Sequence, residues 1–173
     1  VVKEQEAPDG SFPTVKAPNP EDPNAFTLAF DLANKTGADL ILATDPDSDR
    51  LGAAVRGRDG RFQVLTGNPI GSILIHYILS TRNEQGTLPG NGLVVRSIVS
   101  TRMADAICAY YGVELREVLT GFRFISEQIA ESLQLHEHLD KEAAMKKAKE
   151  MLKMVGIPGS RANEYPHQFA NVR

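Results

Sequence analysis

The hydrophobic positions of this chain change period several times, and each change marks an element. Phe26, Leu28, Ala29, Leu32 and Ala33 recur at helical spacing after Asn24, a candidate N-cap, and before Gly37, a candidate stop. Residues 38–44 (ADLILAT) then form a short apolar run bounded by turn formers, which predicts a strand covered on both faces. Residues 51–55 and 62–65 flank Asp59-Gly60 and predict an antiparallel hairpin. In residues 68–79 (NPIGSILIHYIL) a cap candidate and a proline precede apolar positions on nearly every side, the pattern of a buried helix. Strand, helix and strand signals follow at 93–99, 102–111 and 113–119, a βαβ order whose natural outcome is a parallel pair. Beyond Gly121 the pattern is nearly all helical. Its clearest stripe, Ala144, Ala148, Met151, Leu152 and Val155, ends at Gly156 and Pro158.

These elements predict an α/β fold, a mixed sheet with flanking helices, followed by a helical C-terminal segment. Residues 6–23, dense in proline, read as an extended surface segment. The glycine-rich break at 86–92 and the change near Ser126, from strands and glycine loops to lysine-rich helix, divide the chain into 1–88, 89–126 and 127–173. No internal repeat is present.

Composition narrows the choice of function. With 173 residues, 42% hydrophobic and 24% charged, the chain is long enough to bury a core. A net charge of −3 and the lack of a basic stripe argue against a nucleic-acid partner. One cysteine, Cys108, makes a disulfide framework impossible within the chain and favours a reducing, cytoplasmic setting. The start, Val1-Val2-Lys3-Glu4, lacks the layout of a secretory signal, and no apolar run has the length of a membrane span, so membrane insertion is not expected.

The sharpest chemical feature is Thr44-Asp45-Pro46-Asp47-Ser48-Asp49-Arg50. Three carboxylates alternate with small or rigid residues, and an extended backbone would put all three on one side. Carboxylates that close raise one another's proton affinity, and a hard divalent cation with a preference for oxygen ligands relieves the repulsion. Magnesium is the expected ion, with Asp45, Asp47 and Asp49 as ligands; Pro46 and Ser48 would hold the loop in shape. The competing reading is a solvated acidic turn. An EF-hand is excluded, because Arg50 and Arg56 stand where it needs glycine and glutamate.

The run ADLILATDPDSDRLG, with PDGSFPTVKAPNPED before it and LTGNPIGSILIHYIL after it, resembles the second domain of the α-D-phosphohexomutases, the phosphoglucomutase/phosphomannomutase family. The resemblance implies that Asp45, Asp47 and Asp49 hold magnesium beside a phosphoserine supplied by another domain, and that Arg50 lies at the phosphoryl-transfer centre as a catalytic residue. Positioning and charge neutralisation are what such a transfer requires. Many relatives carry glycine at the positions of Pro46 and Ser48. Residues 93–125 (LVVRSIVSTRMADAICAYYGVELREVLTGFRFI) resemble the start of the family's third domain, which implies sugar binding by Thr120, Gly121, Phe122 and Arg123. Arg123 stands where lysine is usual, with a different donor geometry. The alternative is that Gly121 merely ends a strand and Arg123 faces solvent on the next helix. On this reading residues 1–88 are the second domain short of its N-terminal part, and 89–126 begin the third. No serine is followed by His-Asn, as the family's catalytic serine is, and no Glu-x-Ser-Gly-His sugar loop occurs. The intact parent would interconvert hexose 1- and 6-phosphates, and this chain alone is not expected to turn over.

From Glu127 to Phe169 the sequence resembles the helical subdomain of oligopeptide ABC transporter ATP-binding subunits, with Tyr165-Pro166-His167-Gln168-Phe169 as its strongest element. The phosphate loop Gly-x-x-x-x-Gly-Lys-Ser/Thr is missing, so ATP binding is not expected. The expectation is a junction of two unrelated coding sequences near 127. The rival functions are a helical interaction piece of a transporter subunit and a chimera without an evolved function, for which exposed apolar surface would be the sign. His136, Glu137 and His138 diverge on a helix and read as exposed polar residues, and His76 reads as a core histidine.

Overall fold

The structure is a computed structural model that describes residues 1–48 and 50–164. The chain forms two compact units, Val1–Leu74 and Ile75–Arg173.

In the first unit three strands, β1 (Leu40–Thr44), β2 (Leu51–Arg56) and β3 (Phe62–Leu65), pair antiparallel in the order β1-β2-β3. Helix α1 (Thr27–Thr36) covers one face. Because side chains alternate along a strand, the register that sets Ile41 opposite Ala54 and Ala54 opposite Val64 gathers all three beneath α1. There they meet Ala33 and Phe26, the latter fully buried, and the rings of Phe26, Phe30 and Phe62 stack in series at 5.8 and 5.3 Å. The entry to α1 is capped differently from the sequence expectation. Asp22, not Asn24, accepts the backbone N–H of Asn24 at 2.9 Å and opens a 3-10 turn at Pro23–Phe26 that leads into the helix. At the other end Gly37 takes φ 71°, and the Arg56 guanidinium donates to the carbonyls of Ala38 (2.9 Å) and Ala33 (3.4 Å) while lying over the Phe62 ring.

The opposite face of this sheet is open. Leu42 opposite Ala53 and Thr44 opposite Leu51 point away from α1, and Leu40, Leu42 and Leu51 are 56%, 61% and 47% exposed. The continuous apolar run at 38–44 predicts a strand buried on both faces; here it is buried on one, since a single helix covers a single face. The proline-rich segment lies partly against the sheet: Pro20 is buried, and a Cβ at Gly52 would stand 1.9 Å from the Pro20 carbonyl oxygen. Gly52 is required by that close approach.

The second unit is built on the parallel pair β4 (Leu93–Ser97) and β5 (Glu114–Val118), joined through α3 (Met103–Tyr111), as the βαβ pattern predicts. Helix α2 (Gly67–Glu84) begins in the first unit, but its Leu79 is buried with Cys108 and Val113 in the core of the second. The sequence reading groups this helix with residues 1–88. Hydrophobic periodicity locates a helix but does not say which neighbour its stripe will meet. Nor is α2 buried throughout: Ile73, Leu74, Tyr77 and Ile78 are all at least half exposed, and Leu79 is its one buried residue. Helices α4 (Phe122–Glu137) and α5 (Lys141–Met154) form an antiparallel hairpin. Its core is Ala130, Ala144 and Ala148, whose small side chains let the two backbones approach closely. Asp140 caps α5 by accepting the Ala143 N–H at 2.8 Å.

The α/β class therefore holds, with antiparallel and parallel pairings divided between two small sheets and the helical segment following them. No helix among the described residues is long and apolar enough to cross a membrane. Phe26→Ala should lower the stability of the first unit by about 3–5 kcal/mol in urea denaturation, because nothing nearby can fill the space of the ring. Leu42→Lys, on the open face, should change stability by less than about 0.5 kcal/mol while reducing the binding of a hydrophobic dye.

Candidate functional site

The acidic loop is the connection of an antiparallel hairpin. Thr44 and Leu51 are the last paired residues of β1 and β2, and residues 45–50 cross between them. The ladder continues one step into the loop, where Asp45 N–H donates to the Arg50 carbonyl at 3.4 Å. Asp45 is 3% exposed. Its carboxylate accepts the Arg50 backbone N–H on Oδ1 at 3.1 Å and the Arg50 Nε–H on Oδ2 at 2.7 Å, so one residue supplies donors to both oxygens. Charge-assisted bonds of this length are what permit a carboxylate to leave water.

The rest of the loop departs from the extended path that alternation would need. Residues 46 and 47 turn, with Asp47 exposed, and Ser48 adopts φ 58°, its N–H donating to the Asp45 carbonyl at 3.0 Å. Asp45 and Asp47 are thus set by a tight turn rather than by strand alternation. Asp49, the third expected ligand, lies outside the described residues. The left-handed φ at Ser48 is one that glycine takes without the cost of a Cβ. A solvated acidic turn describes Asp47 but not Asp45, whose carboxylate is almost wholly covered.

These donors suit a hard cation. Carboxylate oxygens are the ligands magnesium prefers, and Asp45 already sits where positive charge is required to hold it. Among the described residues no group of three or more histidine, cysteine, aspartate or glutamate side chains converges, and in this loop the described carboxylates are Asp45 and Asp47.

Thr120, Gly121, Phe122 and Arg123 belong to the second unit, at the carboxyl end of β5. Gly121 stands just before α4 with φ 131°, a conformation that glycine adopts readily, and Phe122 and Arg123 are the first two residues of the helix. Arg123 Nε donates to Glu127 one turn on, at 2.9 Å. Thr120 is exposed. Loops at the carboxyl ends of parallel strands are the usual ligand-binding edge of α/β sheets.

Next to that edge lies a residue that sequence reasoning passed over. Arg96 in β4 is 6% exposed and pairs with Asp105 of α3 (3.1 Å) and Glu117 of β5 (2.6 Å), while its Nη1 donates to the Ser97 and Ser100 carbonyls. It clips the 97–102 turn, the start of α3 and the end of β5 together. An arginine in the middle of LVVRS is the only signal, a charge in an otherwise apolar strand. Cys108 is buried, and burial, with Asp105 nearby, pushes its thiol up, which leaves it a packing residue. His138 ends α4 with φ 55°, and Glu137 pairs with Lys147 of α5, so the 136–138 cluster serves the helix end.

Two models of one family match in succession: phosphoglucomutase/phosphomannomutase α/β/α domain II over residues 1–60, and α/β/α domain III over residues 66–136. The chain belongs to the phosphoglucomutase/phosphomannomutase family. Phosphoglucomutase of Staphylococcus aureus (strain USA300) is 43% identical over 138 residues, covering 80% of this chain and 24% of that protein. The enzyme of Staphylococcus saprophyticus is 45% identical over 129 residues, covering 75% of this chain and 23% of its own length. The chain thus spans about a quarter of the curated relatives it matches. A crystal structure of N-acetylglucosamine-phosphate mutase, a member of the α-D-phosphohexomutase superfamily, aligns at TM-score 0.42 and 17% identity over 53% of this chain and 21% of that one.

The domain III match revises the expected junction at 127. It runs on to residue 136, well into α4. The packing agrees: Arg116 of β5 bonds to Gln128 at 3.0 Å and pairs with Glu131, and Ser126 is fully buried at the base of the same helix. Residues on both sides of 126 therefore belong to one element of the segment matched by domain III. The likeness of 127–169 to an ABC transporter subunit is not supported, and Tyr165–Phe169, its strongest element, lies outside the described residues. Lysine-rich helix is a composition that unrelated amphipathic hairpins share, which is why the shift at Ser126 misled.

Ser48→Gly should be neutral or stabilising by up to about 1 kcal/mol, since glycine removes the cost of a left-handed Cβ but adds freedom to the unfolded chain. Thermal denaturation of the pair checks it.

Proposed function

We propose that this chain is the cation-binding and sugar-facing portion of a phosphoglucomutase/phosphomannomutase, an isomerase that moves a phosphoryl group within a hexose phosphate between the 1- and 6-positions. The observation that carries the reading is the buried Asp45 carboxylate, followed by Asp47 and Arg50 in one hairpin loop, inside the segment matched by the family's domain II. Asp45, Asp47 and Asp49 would hold magnesium, and the ion would supply charge neutralisation for the transferring phosphoryl group. Arg50 would hold phosphoryl oxygens through its planar donor fork. At the end of β5, Thr120, Gly121, Phe122 and Arg123 would hold the hexose phosphate, with Arg96 keeping the adjoining turn and strand end in place. The phosphoserine of the family belongs to a domain other than the two matched here, so catalysis is proposed for the whole enzyme, with a cytoplasmic setting to match its buried thiol.

Calorimetric titration of magnesium into the chain tests the assignment, beside a variant with Asp45, Asp47 and Asp49 all changed to Asn. The wild type should bind and the variant should not, with circular dichroism showing both folded. Equal binding by the two, or a folded wild type that takes up no magnesium, removes the cation from the reading.

A further inference from the structure

We infer that Arg50 is an internal counter-ion for Asp45, which a divalent cation must displace in order to bind. The inference rests on the reading of the 45–50 loop as a cation site. Both Asp45 oxygens are engaged by Arg50, Oδ1 by its backbone N–H at 3.1 Å and Oδ2 by its Nε–H at 2.7 Å. The two side chains differ in exposure: Asp45 is 1% exposed and Arg50 is 56% exposed. The carboxylate is thus out of water while the arginine bonded to it reaches solvent.

A dication on Oδ2 and a guanidinium bonded to the same oxygen would be like charges within about 4 Å, which is unfavourable even in a well-screened setting. Occupation by one excludes the other. Without a cation the loop is charge-compensated and closed, and the buried carboxylate never stands alone. When a cation binds, the guanidinium gives up its bond to Oδ2. Because the backbone N–H of Arg50 is fixed by the hairpin, it stays on Oδ1 in both states, and only the side chain exchanges. Cation affinity is then the difference between two ionic contacts, and the arginine is linked reciprocally to the ion.

The test is magnesium titration of the wild-type chain and of Arg50→Gln by calorimetry, together with the Arg50 Nε–Hε resonance of the wild type followed by NMR during the titration. Removing the competitor should tighten magnesium binding by about 1.5- to fivefold, the range expected when a half-exposed ion pair is removed. The Nε–Hε signal should move toward the position of a solvated arginine as the site fills. Equal or weaker binding by Arg50→Gln, or an Nε–Hε signal unmoved at saturating magnesium, overturns the inference while leaving the cation site standing. Absence of binding in both chains, each folded by circular dichroism, overturns the cation site and this inference together. The NMR measurement needs no variant, so it decides the matter even where Arg50→Gln fails to fold.

Discussion

A carboxylate that is almost entirely out of water needs positive charge or several N–H donors beside it, and Asp45 meets that need with a residue only five positions away. The pairing constrains the hairpin. Arg50 can reach Asp45 because β1 and β2 bring Thr44 and Leu51 into register, and the register in turn depends on Ile41 and Ala54 being drawn beneath α1. A one-residue slip would turn Ile41 outward and carry the loop with it. The apolar contact of Phe26, Phe30 and Phe62 thus sets the geometry of a polar site several residues distant.

The same logic places the second loop. In the unit from Ile75 onward, Arg96 is the group that burial leaves in need of partners, and it finds them on two other elements, Asp105 on α3 and Glu117 on β5. Breaking such a cluster leaves charge uncompensated, so it acts as a positional constraint on the strand ends from which Thr120 to Arg123 depart. Helix α4 is held to β5 through Arg116, with Gln128 and Glu131 as its partners, and α5 closes on α4 through alanines. The helical segment is continuous with the mutase domain in structure as well as in the family match to residue 136.

The apolar face formed by Leu40, Leu42 and Leu51, and the exposed side of α2, belong to a chain that spans about a quarter of its relatives' length. Exposed leucines in such number are unusual for a finished surface.

Sequence by itself determined the elements and the loop chemistry. The shift from period 3.6 to short apolar runs marked β1 to β5 and the helices between them, and Thr44 to Arg50 carried a carboxylate pattern specific enough to indicate the family. Local signals suffice for these because periodicity and turn chemistry act over a few residues. Tertiary structure decided what depends on partners distant in the chain. It gave the sheet of β1 one covered face, placed Leu79 of α2 in the second unit's core and assigned α4 to β5 across Ser126. It also turned three alternating aspartates into a buried Asp45 and an exposed Asp47. Side-chain alternation holds only while the backbone is extended, and the turn at residues 46 and 47 ends it.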